Sequence, residues 1–467
     1  MQKSDHSEKD GHIGHASHAS VASGRASPAA SGFSKGRPDS IAVNPFATPQ
    51  TSVPTTRAPS LRAFPSSPGL GAGGYFRSRR VPKGTIQTPK ALRGKKGNDP
   101  WLWIIPTIGF VVGLAASGVL VYFGITWNTS PYNYCPVLIE DFSSGTLDTS
   151  VWTHEIRLNG FGNGEFDQTT ADEENVFIKD GQLYIKPTLQ DATLMETNNI
   201  INLTALGTCS STLWSDCVAA TNTTNGTVVP PVKSARITTQ KSHSIKYGRV
   251  EVKAKIPQGD WLWPAIWMLP TDSVYGAWPR SGEIDILESR GNNYTYNTNG
   301  GGNDYAIGSL HWGPDNDNDG YHQTNNRKQA LHSMYGDGFH TYGIEWTDSY
   351  IFTYIDTRLL QVMYHPFKKS FWDLGNFPVA TANGTRLSNP WASGAKNAPF
   401  DQEFYLILNV AVGGTNGWFT DGKYSKPWVD NSATAKKDFW NARDQWYPTW
   451  EKNGQMIVDS VKMWKQC

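Results

Sequence analysis

One stretch limits this chain more than any other: from Trp101 to about Ile125 there is no charged side chain. About 20 apolar residues are enough to cross a bilayer as a helix. Trp101, Trp103, Tyr122 and Trp127 flank the run, and such rings gather at membrane interfaces. It lies too far from the N-terminus for a cleaved secretion signal. A buried helix of a soluble protein is the competing reading. With a span here, the chain divides into two parts that meet different solvents.

Flanking charge sets the orientation. Arg77, Arg79, Arg80, Lys83, Lys90, Arg93, Lys95 and Lys96 precede the run, and no Lys or Arg follows until Arg157. The positive-inside rule then predicts a type II protein with a cytosolic N-terminus and a luminal or extracellular C-terminal part, at the plasma membrane or in the secretory pathway. Sequons begin at Asn128, Asn202, Asn222, Asn225, Asn293 and Asn383, all on the far side. All four cysteines lie there too, where disulfides form. Three pairings are open. The favoured one joins Cys209 to Cys217 within a loop and Cys135 to Cys467 across the domain ends.

Residues 1–100 are rich in Ser, Gly, Pro, Ala and His and poor in large apolar side chains, so they read as a disordered cytosolic tail. Asn44-Pro45-Phe46 resembles a short sorting signal for a cytosolic adaptor, against the reading of a chance tripeptide. Ser27-Pro28, Thr48-Pro49, Ser67-Pro68 and Thr88-Pro89 are weak phosphorylation signals, and His6, His12, His15 and His18 read as a solvated tail. Gly109, Gly113 and Ser117 form a small-residue stripe within the span 101–125. A stalk, 126–134, leads to a folded domain, 135–467. A net charge of +1 argues against nucleic acid as a partner.

The folded domain reads as all-β. Arg249 to Ile256 alternates strictly, with one buried and one wet face. Phe404 to Val412 is apolar on both faces, as in the centre of two packed sheets. Phe339 to Asp356 reads as a strand pair turning near Asp348-Ser349, and Ala433 to Arg443 as one short helix. The fold class is therefore a β-sandwich of jelly-roll type with long loops.

Within it stands Glu283-Ile284-Asp285-Ile286-Leu287-Glu288. Charge in a buried strand is costly unless it has a use. Glu283 and Asp285 share a face, and strict alternation sends Glu288 to the other. A one-residue bulge near Ile286-Leu287 brings Glu288 back. The glutamate Cα atoms then lie about 13 Å apart at about 3.3 Å per residue. Two long side chains leaning together close that to the roughly 5–5.5 Å of a retaining glycosidase. Repulsion among three carboxylates holds a proton in the group. The pattern assigns an ionised Glu283 as nucleophile, a protonated Glu288 as acid/base, and Asp285 as the group that steadies Glu283. An acidic edge strand and a calcium site compete with this, but Ile284, Ile286 and Leu287 imply a packed back face, and calcium ligands come mostly from loops. The 19 Trp fit stacking on sugar faces as well as core packing.

These residues carry a resemblance. The domain, from about Cys135 to Cys467, resembles glycoside hydrolase family 16, particularly its laminarinase-like β-1,3-glucanases of fungi. The signature E-x-D-x-x-E is present as Glu283, Asp285 and Glu288. Supporting matches are Tyr247-Gly248-Arg249-Val250-Glu251, Trp263 to Met268, Gly308 to Gly313 and Leu408 to Gly414. The resemblance implies a concave glucan cleft and a retaining mechanism, with Trp278 as a platform beside the cleavage point and Asn163, His311, Trp263 and Trp418 as further substrate-binding residues. Core packing competes for each Trp, and a loop hydrogen bond for His311. No metal and no cofactor is expected: Asp315-Asn316-Asp317-Asn318-Asp319-Gly320 fits half an EF-hand loop, but its twelfth position is Asn326 and no flanking helices appear, so it reads as a hydrated loop near the cleft. The implied substrate is β-1,3-linked or mixed β-1,3/1,6 glucan. A transglycosylase of cell-wall assembly and a non-catalytic glucan receptor remain alternatives. Some relatives of the receptor kind have lost the catalytic carboxylates, whereas here both glutamates are present. A transport or scaffold protein acting through its tail has only the sorting tripeptide behind it.

Overall fold

The computed structural model describes residues 99–128, 132–298, 300–381 and 383–467. The tail, with Asn44-Pro45-Phe46, the Ser/Thr-Pro pairs and the four early histidines, lies outside the described residues. The apolar run forms a helix, Trp101–Asn128, of 28 residues. Its segment Trp101–Gly124 is long and apolar enough to cross a membrane, and no part of it is buried in protein.

Two antiparallel sheets of eight strands each dominate the rest. In the first, the order is Thr357–Pro366, Tyr350–Ile355, His340–Trp346, Gly248–Lys255, Met456–Gln466, Gln182–Ile185 and Val176–Lys179. Tyr134–Glu140 pairs with part of Met456–Gln466. In the second, the order is Asn325–Gln329, Tyr305–His311, Glu283–Glu288, Leu262–Pro270, Phe404–Val412, Arg236–Thr238 and Thr153–His154, with Ser244–Ile245 also on Phe404–Val412.

Side-chain pattern explains the layering. Along Gly248–Lys255 burial alternates, as its apolar and polar residues do. Every residue of Phe404–Val412 is buried. Val250, Val252 and Ile344 of the first sheet and Ile266, Ile284 and Leu408 of the second belong to one apolar core. The arrangement is jelly-roll-like. His340–Trp346 and Tyr350–Ile355 turn at residues 347–349, and Ala435–Asn441 is a short helix, both where the sequence puts them.

Both disulfides exist: Cys209–Cys217 and Cys135–Cys467. The first closes a loop in an insertion whose paired strands, Asn199–Asn202 and Val218–Thr221, cover a separate small core. The sequon residues Asn222, Asn225, Asn293 and Asn383 are exposed.

Candidate active site

The carboxylate strand Glu283–Glu288 is bulged. Against Leu262–Pro270, Leu287 faces Ile266 and Asp285 faces Trp267, so Ile286 is left without a partner. Against Tyr305–His311, Asp285 faces Ser309 and Glu288 faces Ile307, so Ile286 and Leu287 are set against Gly308 alone. The extra residue changes the face of everything after it. Ile284 and Leu287 enter the core. Glu283 and Glu288 line one groove of about 1170 Å³.

Each glutamate receives an indole N–H. Trp278 Nε1 donates to Glu283 Oε2 at 3.0 Å, and Trp263 Nε1 donates to Glu288 Oε1 at 3.0 Å. Asp285, only 2% exposed, lies behind them. His311 bridges outward from it. Its Nε2 is 3.4 Å from Asp285 Oδ2, and its Nδ1 is 2.5 Å from Asp319 Oδ2. Tyr321 stacks on the imidazole, with ring centres 5.0 Å apart.

Burial dominates the proton balance. Burial first and Asp285 second raise Glu283 to about 8, against the opposing pull of His311. Burial followed by Asp285 raises Glu288 to about 7. Burial alone would lower His311, but Asp285, Asp319 and Glu283 together hold it well above its ordinary value. Both glutamates therefore hold protons more tightly than usual, chiefly because burial costs each its water, so the pair keeps a proton between them.

Glu283, Asp285 and His311 offer atoms within 4.8 Å of one another. An imidazolium between two carboxylates has N–H on both nitrogens and no lone pair for a cation.

The other expected residues are drawn to the same groove in different ways. Trp278 is 43% exposed beside Glu283 and keeps ring surface free for a ligand. Trp263 is buried and stacks on Trp418, ring centres 4.6 Å apart and 11° between planes. The Arg290 guanidinium lies 3.8 Å from the Trp418 ring centre. With an indole and a guanidinium against it, the Trp418 ring has less face to offer a sugar than the sequence implies. Asn163 donates to Glu165 Oε1 at 3.0 Å and accepts from Asn416 Nδ2 at 3.1 Å, tying two groove loops together. Gly164 permits that approach: its φ is +64°, and a Cβ there would sit 2.1 Å from Thr415 Oγ1.

Three contributors escape sequence reasoning. Arg290 is 1% exposed and donates twice to the Trp418 carbonyl, at 3.1 and 2.8 Å. Arg236 lies 4.1 Å from the Phe161 ring centre and 4.6 Å from that of Trp267, and it pairs with Glu155. Asp319 belongs to the acidic run that reads as hydrated loop, yet one of its oxygens clamps His311. A charged residue two positions past the motif's strand (Arg290) was the one available signal.

The family model described as glycosyl hydrolases family 16 matches residues 196–404. A β-1,3-glucan-binding protein of Penaeus monodon is 42% identical over 344 residues, covering 71% of this chain and 90% of that protein. β-1,3-Glucan-binding protein 1 of Galleria mellonella is 31% identical, covering 70% of this chain but only 63% of its own length. Glucan endo-1,3-beta-glucosidase A1 of Niallia circulans is 31% identical, covering 64% of this chain and 36% of its own length. The laminarinase structure from Rhodothermus marinus matches 72% of this chain and all of its own, with 25% identity and a TM-score of 0.45. The fungal subgroup is not singled out by these matches. At 42% identity over nine-tenths of a relative, the family is decided: the chain belongs to the glycosyl hydrolases of family 16.

Proposed function

We propose that this protein is a membrane-anchored retaining endo-β-glucanase acting on β-1,3-linked glucan in a concave cleft on its second sheet. The observation that carries the reading is the pair of glutamates brought into one groove by a bulge, each fixed by an indole N–H. Family membership supports hydrolase activity. The names of the relatives from Penaeus, Galleria and Niallia support β-1,3-glucan as the ligand.

Glu283 attacks the anomeric carbon and forms a glycosyl ester. The bond to the leaving sugar breaks, and the Glu288 proton passes to the leaving oxygen. A glycosidic oxygen that accepts from Glu288 draws the shared proton there, while the His311 cation and the Trp278 N–H favour charge on Glu283. Once Glu283 is esterified its charge is gone, so Glu288 ionises more easily and takes a proton from the incoming hydroxyl. That hydroxyl belongs to water in hydrolysis and to a second glucan in transfer. In this scheme residues 1–100 are a cytosolic tail, 101–125 the span and 126–134 a stalk, and the domain 135–467 works outside the cytosol.

The second reading is a receptor that binds glucan without turnover. The printed names of the Penaeus and Galleria relatives favour it, and the two retained glutamates oppose it. The full-length protein in detergent, incubated with linear β-1,3-glucan, separates these outcomes. Shorter chains released first as the β-anomer support retaining hydrolysis, and lengthened chains support transfer. Binding with no change in chain length sinks the enzyme.

A further inference from the structure

The insertion that holds the Cys209–Cys217 loop has no part in the chemistry just described. It is nevertheless fastened firmly to the groove wall. Asp216 accepts from Asn159 Nδ2 and from Ser211 Oγ, each at 2.7 Å, and lies 3.6 Å from the Arg157 guanidinium. The backbone joins too: Leu158 N donates to Asp216 O at 2.8 Å, and Ser210 N donates to Ile156 O at 3.1 Å. Below, Leu158, Met195, Ile201, Leu203 and Trp440 pack into a core of their own. The disulfide removes most of the freedom that remains.

This rigid loop presents apolar surface to water. Leu213 is 61% exposed, and Trp214, beside it, is 71% exposed. Leu213 and Asp216 line the same groove as Glu283 and Glu288. An indole on a backbone held this way has few side-chain torsions to lose when a ligand covers it, and its flat ring suits the apolar face of a sugar.

Strand order gives the distance. From Glu283–Glu288 the sheet steps through Leu262–Pro270 and Phe404–Val412 to Arg236–Thr238. Three steps at about 4.8 Å make about 14 Å. The loop is fastened beyond that, on residues 156–159 that follow the edge strand Thr153–His154. A sugar ring touching it lies far from the bond being cut.

We propose that the Cys209–Cys217 loop is a remote platform for the glucan chain, where Leu213 and Trp214 hold sugar rings leaving the groove past Arg236–Thr238. The inference rests on the glucan reading of the groove and adds a preference for long chains. The platform acts on substrate binding and leaves the chemical step alone.

The test compares full-length wild type and Trp214→Ala on short β-1,3-gluco-oligosaccharides and on the long polymer. Trp214→Ala is expected to raise KM for the polymer about tenfold. It should leave kcat and the short substrates unchanged, and Trp214→Phe should recover most of the loss. Leu206→Ala, at a residue 69% exposed in the same insertion but not adjacent to the groove-lining Leu213 as Trp214 is, should change nothing. Equal loss at all chain lengths, no loss on the polymer, or the same loss in Leu206→Ala overturns the platform. So does a variant that loses only its adhesion to phosphatidylcholine vesicles. Should wild type bind without cleaving, dissociation constants along the same ladder replace KM. The platform then stands or falls apart from the catalytic reading.

Discussion

Glu283 ionises reluctantly because burial strips its water and Asp285 places a second negative charge beside it. Its folded value, about 8, lies above its ordinary 4.5. Between those values the folded state binds the proton more tightly than the unfolded chain does. Stability is therefore lost as pH rises through that window. Glu283→Gln removes the penalty, so the variant should melt higher than wild type at pH 8, by about 2–4 °C. At pH 4.5 the two should melt together, and a parallel offset at both pH values would refute the cause. The same variant should lose turnover by roughly three orders of magnitude while still binding glucan. Near-normal activity would remove Glu283 as nucleophile. Wild-type activity should fall as pH rises past about 7 to 8, where the pair gives up the proton the leaving oxygen needs. Glu288→Ala should spare the first step for substrates with good leaving groups, and equal loss on all substrates would count against its acid role.

The carboxylate strand shows what a short sequence reveals about an element. Alternation places Glu283 and Asp285 together and leaves Glu288 stranded, so the misfit itself points to a bulge, and Ile286 is the unpaired residue. Deleting Ile286 leaves Glu-Ile-Asp-Leu-Glu, in which plain alternation keeps all three carboxylates on one face without a bulge. Turnover should then survive within about tenfold, with a cooperative melt retained. A loss of more than about a hundredfold in a folded deletion would show that the kink itself is needed. Strand identity was legible wherever a local period existed, as in Gly248–Lys255. The supports of the site were not, because their partners are remote: Arg290 meets the carbonyl of Trp418, 128 residues on. Asp319 was hidden in a loop whose composition speaks only of water. Trp418 stood as a further substrate-binding residue, with core packing as the competing reading, because its identity is visible in sequence and its two neighbours are not.

At the scale of the whole molecule, the apolar run is legible as the long helix Trp101–Asn128, but sheet order was beyond reach. Gly248–Lys255 lies between His340–Trp346 and Met456–Gln466, neighbours that no local pattern specifies. The Cys135–Cys467 bond joins residues 332 apart in sequence. Replacing both with Ser should cost about 2–4 kcal/mol in denaturant unfolding, mainly by freeing the unfolded chain. Turnover below the melt should be unchanged, since the bond belongs to the first sheet and the glutamates to the second. A loss of activity without a loss of stability would contradict that separation. The same bond has a mechanical side. Tyr134–Glu140 is the first strand after the apolar helix, and among the described residues its ladder runs along Met456–Gln466. In the anchored protein proposed above, tension arriving from the helix would otherwise unzip that ladder one hydrogen bond at a time. With the cystine in place, the pull is carried by a covalent hoop, and the sheet bearing the glutamates is spared the strain.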